Sequence, residues 1–117
     1  MNKQASENIT DLDRLIHEPA RLTILTALSA CEVADFRFLQ RLTGLTSGNL
    51  SSHLARLEKA RLIDLRKRFV GKRPNTQAML TDKGRAAIER HWQQLENLRK
   101  NVLAATRDRE VIKRGAN

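Results

Sequence analysis

Leu50, Leu54 and Leu57 recur at i, i+4 and i+7 directly after Thr43-Gly44-Leu45 and Thr46, and no other stretch constrains the chain as tightly. The spacing commits one face of a helix to a core. Leu39 and Leu42 close a preceding helix, Thr43-Gly44-Leu45 supplies a tight turn, and the Thr46 hydroxyl stands where an N-cap belongs. The face opposite the leucines carries Ser47, Asn49, Ser51, Ser52, His53 and Arg56. A merely solvated face would more often carry Glu and Lys, which favour helix better than Ser and Asn. Short hydrogen-bonding side chains suit a helix that enters the major groove of DNA and approaches base edges and phosphates.

The next segment narrows the architecture. Leu62 to Val70 is rich in strand formers, and Gly71-Lys72-Arg73-Pro74-Asn75 is turn chemistry. Thr76 to Leu80 can return as a second strand, which makes a basic β-hairpin. Helix, turn, helix and basic hairpin is the order of a winged helix-turn-helix. The expected fold is α+β, mostly helical, with a two-stranded wing and a long C-terminal dimerisation helix.

The segments LTGLTSGNLSSHLARLEKARLI, FVGKRPNT and LTDKGRAAIERH resemble the small winged-helix regulators related to the MarR and ArsR families. The likeness is greatest to a single-domain subgroup with an F-V-G-x-R-P-x-T wing and an L-T-x-x-G-R helix start. It runs from about His17 to Leu98. It implies sequence-specific binding of double-stranded DNA and transcriptional regulation, with a dimeric repressor as the expected form.

Charge placement agrees with an anionic partner. The 117 residues carry a formal net charge of +9. Residues 1–45 hold five Lys/Arg against six Asp/Glu, whereas residues 56–73 hold eight against two. A charge run is usually only a solvated face. This one coincides with the second helix and the hairpin.

The rest of the chain reads as one domain, residues 1–117, with a core from about 11 to 106 and frayed ends at 1–10 and 107–117. Thr10 or Asp11 caps a short first helix carrying Leu12, Leu15 and Ile16. Pro19 suits the first turn of a second helix running to Ala30, with Leu22, Ile24, Leu25 and Leu28 facing inward. Val33 is a candidate for a one-bridge strand beside the hairpin. Asp35 caps a third helix whose Phe36, Phe38, Leu39 and Leu42 face inward. Thr81 caps the last helix, which extends to about Ala105. Its stripe of Ile88, Trp92, Leu95, Leu98 and Val102 has little of its own chain to cover it and calls for a second copy. The family resemblance adds Leu12, Leu15 and Ile16 of the first helix to that dimer surface, because there the first and last helices pair across a two-fold axis.

Candidate DNA contacts begin at Thr46. Ser47, Gly48 and Asn49 lie in the first turn, where free amides favour a phosphate. Asn49, Ser51 and Ser52 are candidates for base edges, Asn pairing bidentately with adenine. His53 and Arg56 stand a turn further on, toward phosphate or guanine; the bland reading of His53 is an inert surface residue. Arg66 and Arg68 share one strand face near backbone phosphates, with Lys67 on the other. By resemblance, Lys72 and Arg73 of the 71–75 wing reach the minor groove or its phosphates.

Other chemistries find no support. Cys31 stands alone, without the Cys-x-Cys pair of metal-sensing relatives, and reads as a buried filler. His17, His53 and His91 have no metal-ligand spacing, and no cofactor is expected. There is no glycine-rich phosphate loop or nucleophile elbow, so no enzyme is expected. No apolar run approaches a membrane span or signal peptide, which places the chain in the cytoplasm, at a prokaryotic nucleoid. The expected partners are an approximate inverted repeat of duplex DNA and a second copy, with no membrane. An unidentified small-molecule effector, if one acts, would sit in the dimer crevice. The alternative is a winged helix serving as a protein-interaction or RNA-binding module.

Overall fold

The computed structural model describes residues 10–115, the side chains of 111–114 excepted. The elements in order are α1 (Asp11–His17), α2 (Pro19–Ala30), β1 (Ala34–Asp35), α3 (Phe36–Thr43), α4 (Ser47–Lys59), β2 (Ile63–Val70), β3 (Arg73–Leu80) and α5 (Asp82–Gly115). Local side chains start each helix. Thr10 and Asp13 form a capping box on α1, and Glu18 accepts from the Ala20 and Arg21 amides ahead of Pro19 at the start of α2. Asp35 accepts from Phe38 N, Thr46 from Asn49 N and Thr81 from Gly84 N.

α3 ends where Gly44 turns left-handed at φ 70° and returns its amide to Gln40 O at 2.8 Å. Gln40 Nε2 also donates to Leu45 O and Ser47 Oγ, bracing the corner between α3 and α4. Leu50, Leu54 and Leu57 of α4 join Ile24, Leu25 and Leu28 of α2, Leu39 of α3 and Ile63 of β2 in one core.

The sheet is antiparallel in the order β1–β3–β2. β1 sits one residue later than expected: Ala34 and Asp35 pair with Ala78 and Gln77, and Val33 stays outside, 43% exposed. The hairpin is also tighter than expected. Its loop is only Gly71-Lys72, and β3 begins at Arg73. Gly71 takes φ 65° while Lys72 does not enter the left-handed region, the pattern of a type II′ turn. Val70 and Arg73 close that loop as a hydrogen-bonded pair, so Phe69–Pro74 is a non-hydrogen-bonded one. Pro74 therefore needs no amide toward β2, and a residue with turn chemistry sits within the strand.

Three further expectations are corrected. Leu39 is buried, but Phe38 and Leu42 of α3 are 41% and 46% exposed, because the core lies against only one side of that two-turn helix. α5 continues as helix to Gly115, ten residues beyond Ala105. Cys31 is partly rather than fully buried, its Sγ donating to Ala27 O.

Candidate nucleic-acid interface

The leucine triplet turns α4 so that its other face looks outward. Thr46, Ser47, Gly48, Asn49, Ser51, Ser52 and Arg56 are all exposed. A Cβ at Gly48 would meet nothing within 4 Å, so no packing within the chain excludes a side chain there. Ser47 is partly engaged already, its hydroxyl accepting from Gln40.

His53 stands apart. Its ring turns back toward α2, with Nδ1 3.0 Å from Arg21 Nη1 and 3.5 Å from Glu18 Oε2. Its side chain keeps only 22% of its exposure. Arg21 is nearly buried at 7%, and its Nε donates to Leu15 O at 2.6 Å. Burial works against the charge on Glu18. The Ala20 and Arg21 amides, then the His53 and Arg21 charges, outweigh it and hold the carboxyl below its ordinary pKa.

Register settles the faces of the hairpin. Ile63 and Leu65 point to the core, and Lys67 and Phe69 follow them on that side. Arg66 and Arg68 take the other face with Gln77 and Asn75 as their cross-strand partners. Arg73, opposite Val70, joins that same face, so three guanidiniums line one side of the wing while Lys72 occupies its tip. The strand alternation placed Arg66 with Arg68; the grouping with Arg73 required the two-residue loop.

A second polar cluster lies between α1 and α5. His17 Nδ1 is 3.3 Å from His91 Nε2, and Asp13 Oδ1 lies 4.0 Å from His91 Nδ1. Burial, then the charge of His17, lowers the His91 pKa against the pull of Asp13, and Arg90 adds to the lowering. For Asp13, burial opposes ionisation, but hydrogen bonds from Thr10 and the charges of Arg90 and His91 bring its pKa down. The cluster opens on a groove of about 790 Å³ that Arg14, Glu18, Leu95 and Leu98 also line. Among the described residues, no group of three or more His, Cys, Asp or Glu side chains could hold a metal ion, and no helix is long and apolar enough to cross a membrane.

The expected dimer surface divides in two. Ile16 and Ile88 are 1% and 0% exposed and belong to the protomer's own core, with Leu12 and Leu15 packed partly against it. Further along α5, Trp92, Leu98 and Val102 are 45%, 57% and 53% exposed, and Leu95 is half-buried. Leu103, which the four-three spacing had passed over, extends this patch. Arg21, Glu18 and Leu103 were missed as candidates. A signal existed for Arg21: it shares the i, i+3, i+4, i+7 stripe of Ile24, Leu25 and Leu28, where a charge is out of place.

The model of a family described as winged helix DNA-binding domain matches residues 20–99. A transcriptional regulator homologue from Pyrococcus horikoshii has a similar structure, with a TM-score of 0.74 and 28% identity over 86% of this chain and 97% of that one. A transcriptional regulator of the MarR family from Enterococcus faecalis is similar with a TM-score of 0.70 and 21% identity, over 92% and 94% of the two chains. The transcriptional repressor CouR, solved on a 23-mer DNA duplex, is similar with a TM-score of 0.64 and 23% identity, over 94% and 82%.

Proposed function

This chain belongs to the family of winged helix DNA-binding domains, and from that premise we propose that it is a dimeric transcriptional repressor that reads an approximate inverted repeat through α4. The observation that carries the reading is the division of α4 itself. Leu50, Leu54 and Leu57 anchor it, while Asn49, Ser51 and Ser52 stand free to meet base edges and Ser47, Gly48 and Arg56 to meet phosphates. In a two-fold dimer the two α4 helices enter successive major grooves, about 34 Å apart. The wings flank them, Lys72 and Arg73 at the minor groove and Arg66 and Arg68 along the backbone. Support for repression comes from CouR, a repressor of similar structure bound to a duplex.

The dimer forms through Trp92, Leu95, Leu98, Val102 and Leu103 of α5, with the exposed edges of Leu12 and Leu15. An effector would enter the groove between α1 and α5, beside that interface.

Selection of bound sequences from a random duplex pool tests the proposal. Enrichment of a sequence with two-fold symmetry and half-sites one helical turn apart is the expected outcome. A pool that stays unenriched, together with tight binding of a protein or structured RNA at high salt, overturns it in favour of an interaction module.

A further inference from the structure

α4 is fastened to the body of the domain chiefly by leucines, and apolar contacts are non-directional. They fix which face of the helix meets the core and leave the last few degrees of rotation about its own axis to directional contacts. Bidentate readout of a base requires the reading side chains to be held within about 0.5 Å and 10–20°. A directional contact from the face of α4 to the body would meet that need, and Arg21–His53 is such a contact.

We propose that the Arg21–His53 hydrogen bond sets the angular position of α4, so that His53 is a positioning residue for sequence readout and not a DNA contact. This rests on the reading of α4 given above. Arg21 reaches three parts of the fold: α1 through Leu15 O, the cap of α2 through Glu18, and the middle of α4 through His53. A leucine would fill the same stripe position without a buried charge to satisfy, so packing alone does not account for an arginine there. His53 lies four residues after Asn49, one turn along the same side of the helix, and a shift of its ring carries the asparagine with it.

The chemistry of the bond fixes its direction. A guanidinium can only donate, so His53 Nδ1 accepts through its lone pair. The charged groups facing the ring are Arg21 from α2 and Glu18 from the α1–α2 junction.

The test is a double-mutant cycle on the ratio of affinities for the selected duplex and random duplex. It uses Arg21→Gln, His53→Ala and the pair together, with thermal unfolding followed for each. Each single change should lower the ratio about tenfold, and the pair no further than either alone. His53→Asn puts an amide oxygen where Nδ1 stands and keeps an acceptor toward Arg21, so it should retain the preference. Additive losses, or a full loss in His53→Ala beside a silent Arg21→Gln, would mean that His53 touches DNA itself and would overturn the proposal. If Arg21→Gln fails to fold, His53→Asn decides, and impairment equal to that of His53→Ala overturns the idea. Asn49→Ala separates the two layers. If it changes preference while both His53 variants are silent, only the positioning role falls; if it too is silent, the reading of α4 falls with it.

Discussion

His17 Nδ1 lies 3.3 Å from His91 Nε2, so one imidazole donates and the other accepts, and both cannot be protonated while the contact lasts. Asp13 Oδ1 stands behind His91 Nδ1 at 4.0 Å, an ion-pair distance rather than a hydrogen bond. The pair clasps α1 to α5 on the rim of the groove.

Stability should therefore fall as the solution is acidified. The His91 pKa is held below its ordinary value of about 6.5. Below that value the unfolded chain binds a proton that the folded one refuses, so stability is complete above it and declines as pH falls toward the folded value. Asp13 and Glu18, also lowered, add a second decline below the ordinary carboxylate range. Urea midpoints at about pH 7.5 and 5.5 should differ in the natural protein and converge in His91→Leu. A midpoint that does not move between those pH values would sink this account.

Gly84 is fixed by a backbone neighbour. A Cβ there would overlap the Leu62 carbonyl oxygen, which also accepts from Thr81 N at 3.1 Å. Gly84→Ala improves helix propensity by up to about 1 kcal/mol but forces α5 away from that carbonyl. We expect net destabilisation of about 1–3 kcal/mol, read from denaturant unfolding. A neutral or stabilising result would show that the start of α5 is free to shift.

The two halves of the α5 stripe should answer differently to substitution. Ile88→Ala removes a fully buried side chain and should cost about 2–5 kcal/mol of stability. Leu98→Glu with Val102→Glu alters exposed positions and should leave the helix content intact while sedimentation equilibrium shows a monomer. An unchanged mass for that double variant argues against α5 as the dimer surface.

Wing and helix should separate affinity from specificity. Arg73→Ala should weaken selected and random duplexes alike and reduce the salt slope by about one. Asn49→Ala should relax preference at a single position, at a cost of about 1–3 kcal/mol. Equal losses on every sequence from both changes would defeat this division.

The features legible in the sequence are those that neighbouring residues create together. The leucine triplet of α4, its Thr46 cap, the Asp35 cap of α3 and the Gly44 turn each depend on atoms a few positions apart. The features that the sequence does not carry need a distant partner. Pro74 and Asn75 have turn chemistry, yet pairing with Phe69 and Arg68 draws them into β3. Phe38 and Leu42 look as apolar as Leu39, but only Leu39 meets the core. His53 looked like part of the polar surface until Arg21, 32 positions earlier, gave its ring an inward partner.

By itself, the chain's order of residues determined which segments are helices, where they begin, which leucines are buried in α4 and that a basic hairpin follows it. Those outcomes depend on periodicity and capping, interactions closed within one or two turns of backbone. The packed fold alone decided that Arg73 joins Arg66 and Arg68 on one side of the wing, that Ile88 is core while Leu98 is surface, and that Arg21 and His91 meet histidines 32 and 74 positions away. Register and burial belong to pairs of surfaces, and no stretch of chain carries its distant partner's position within itself.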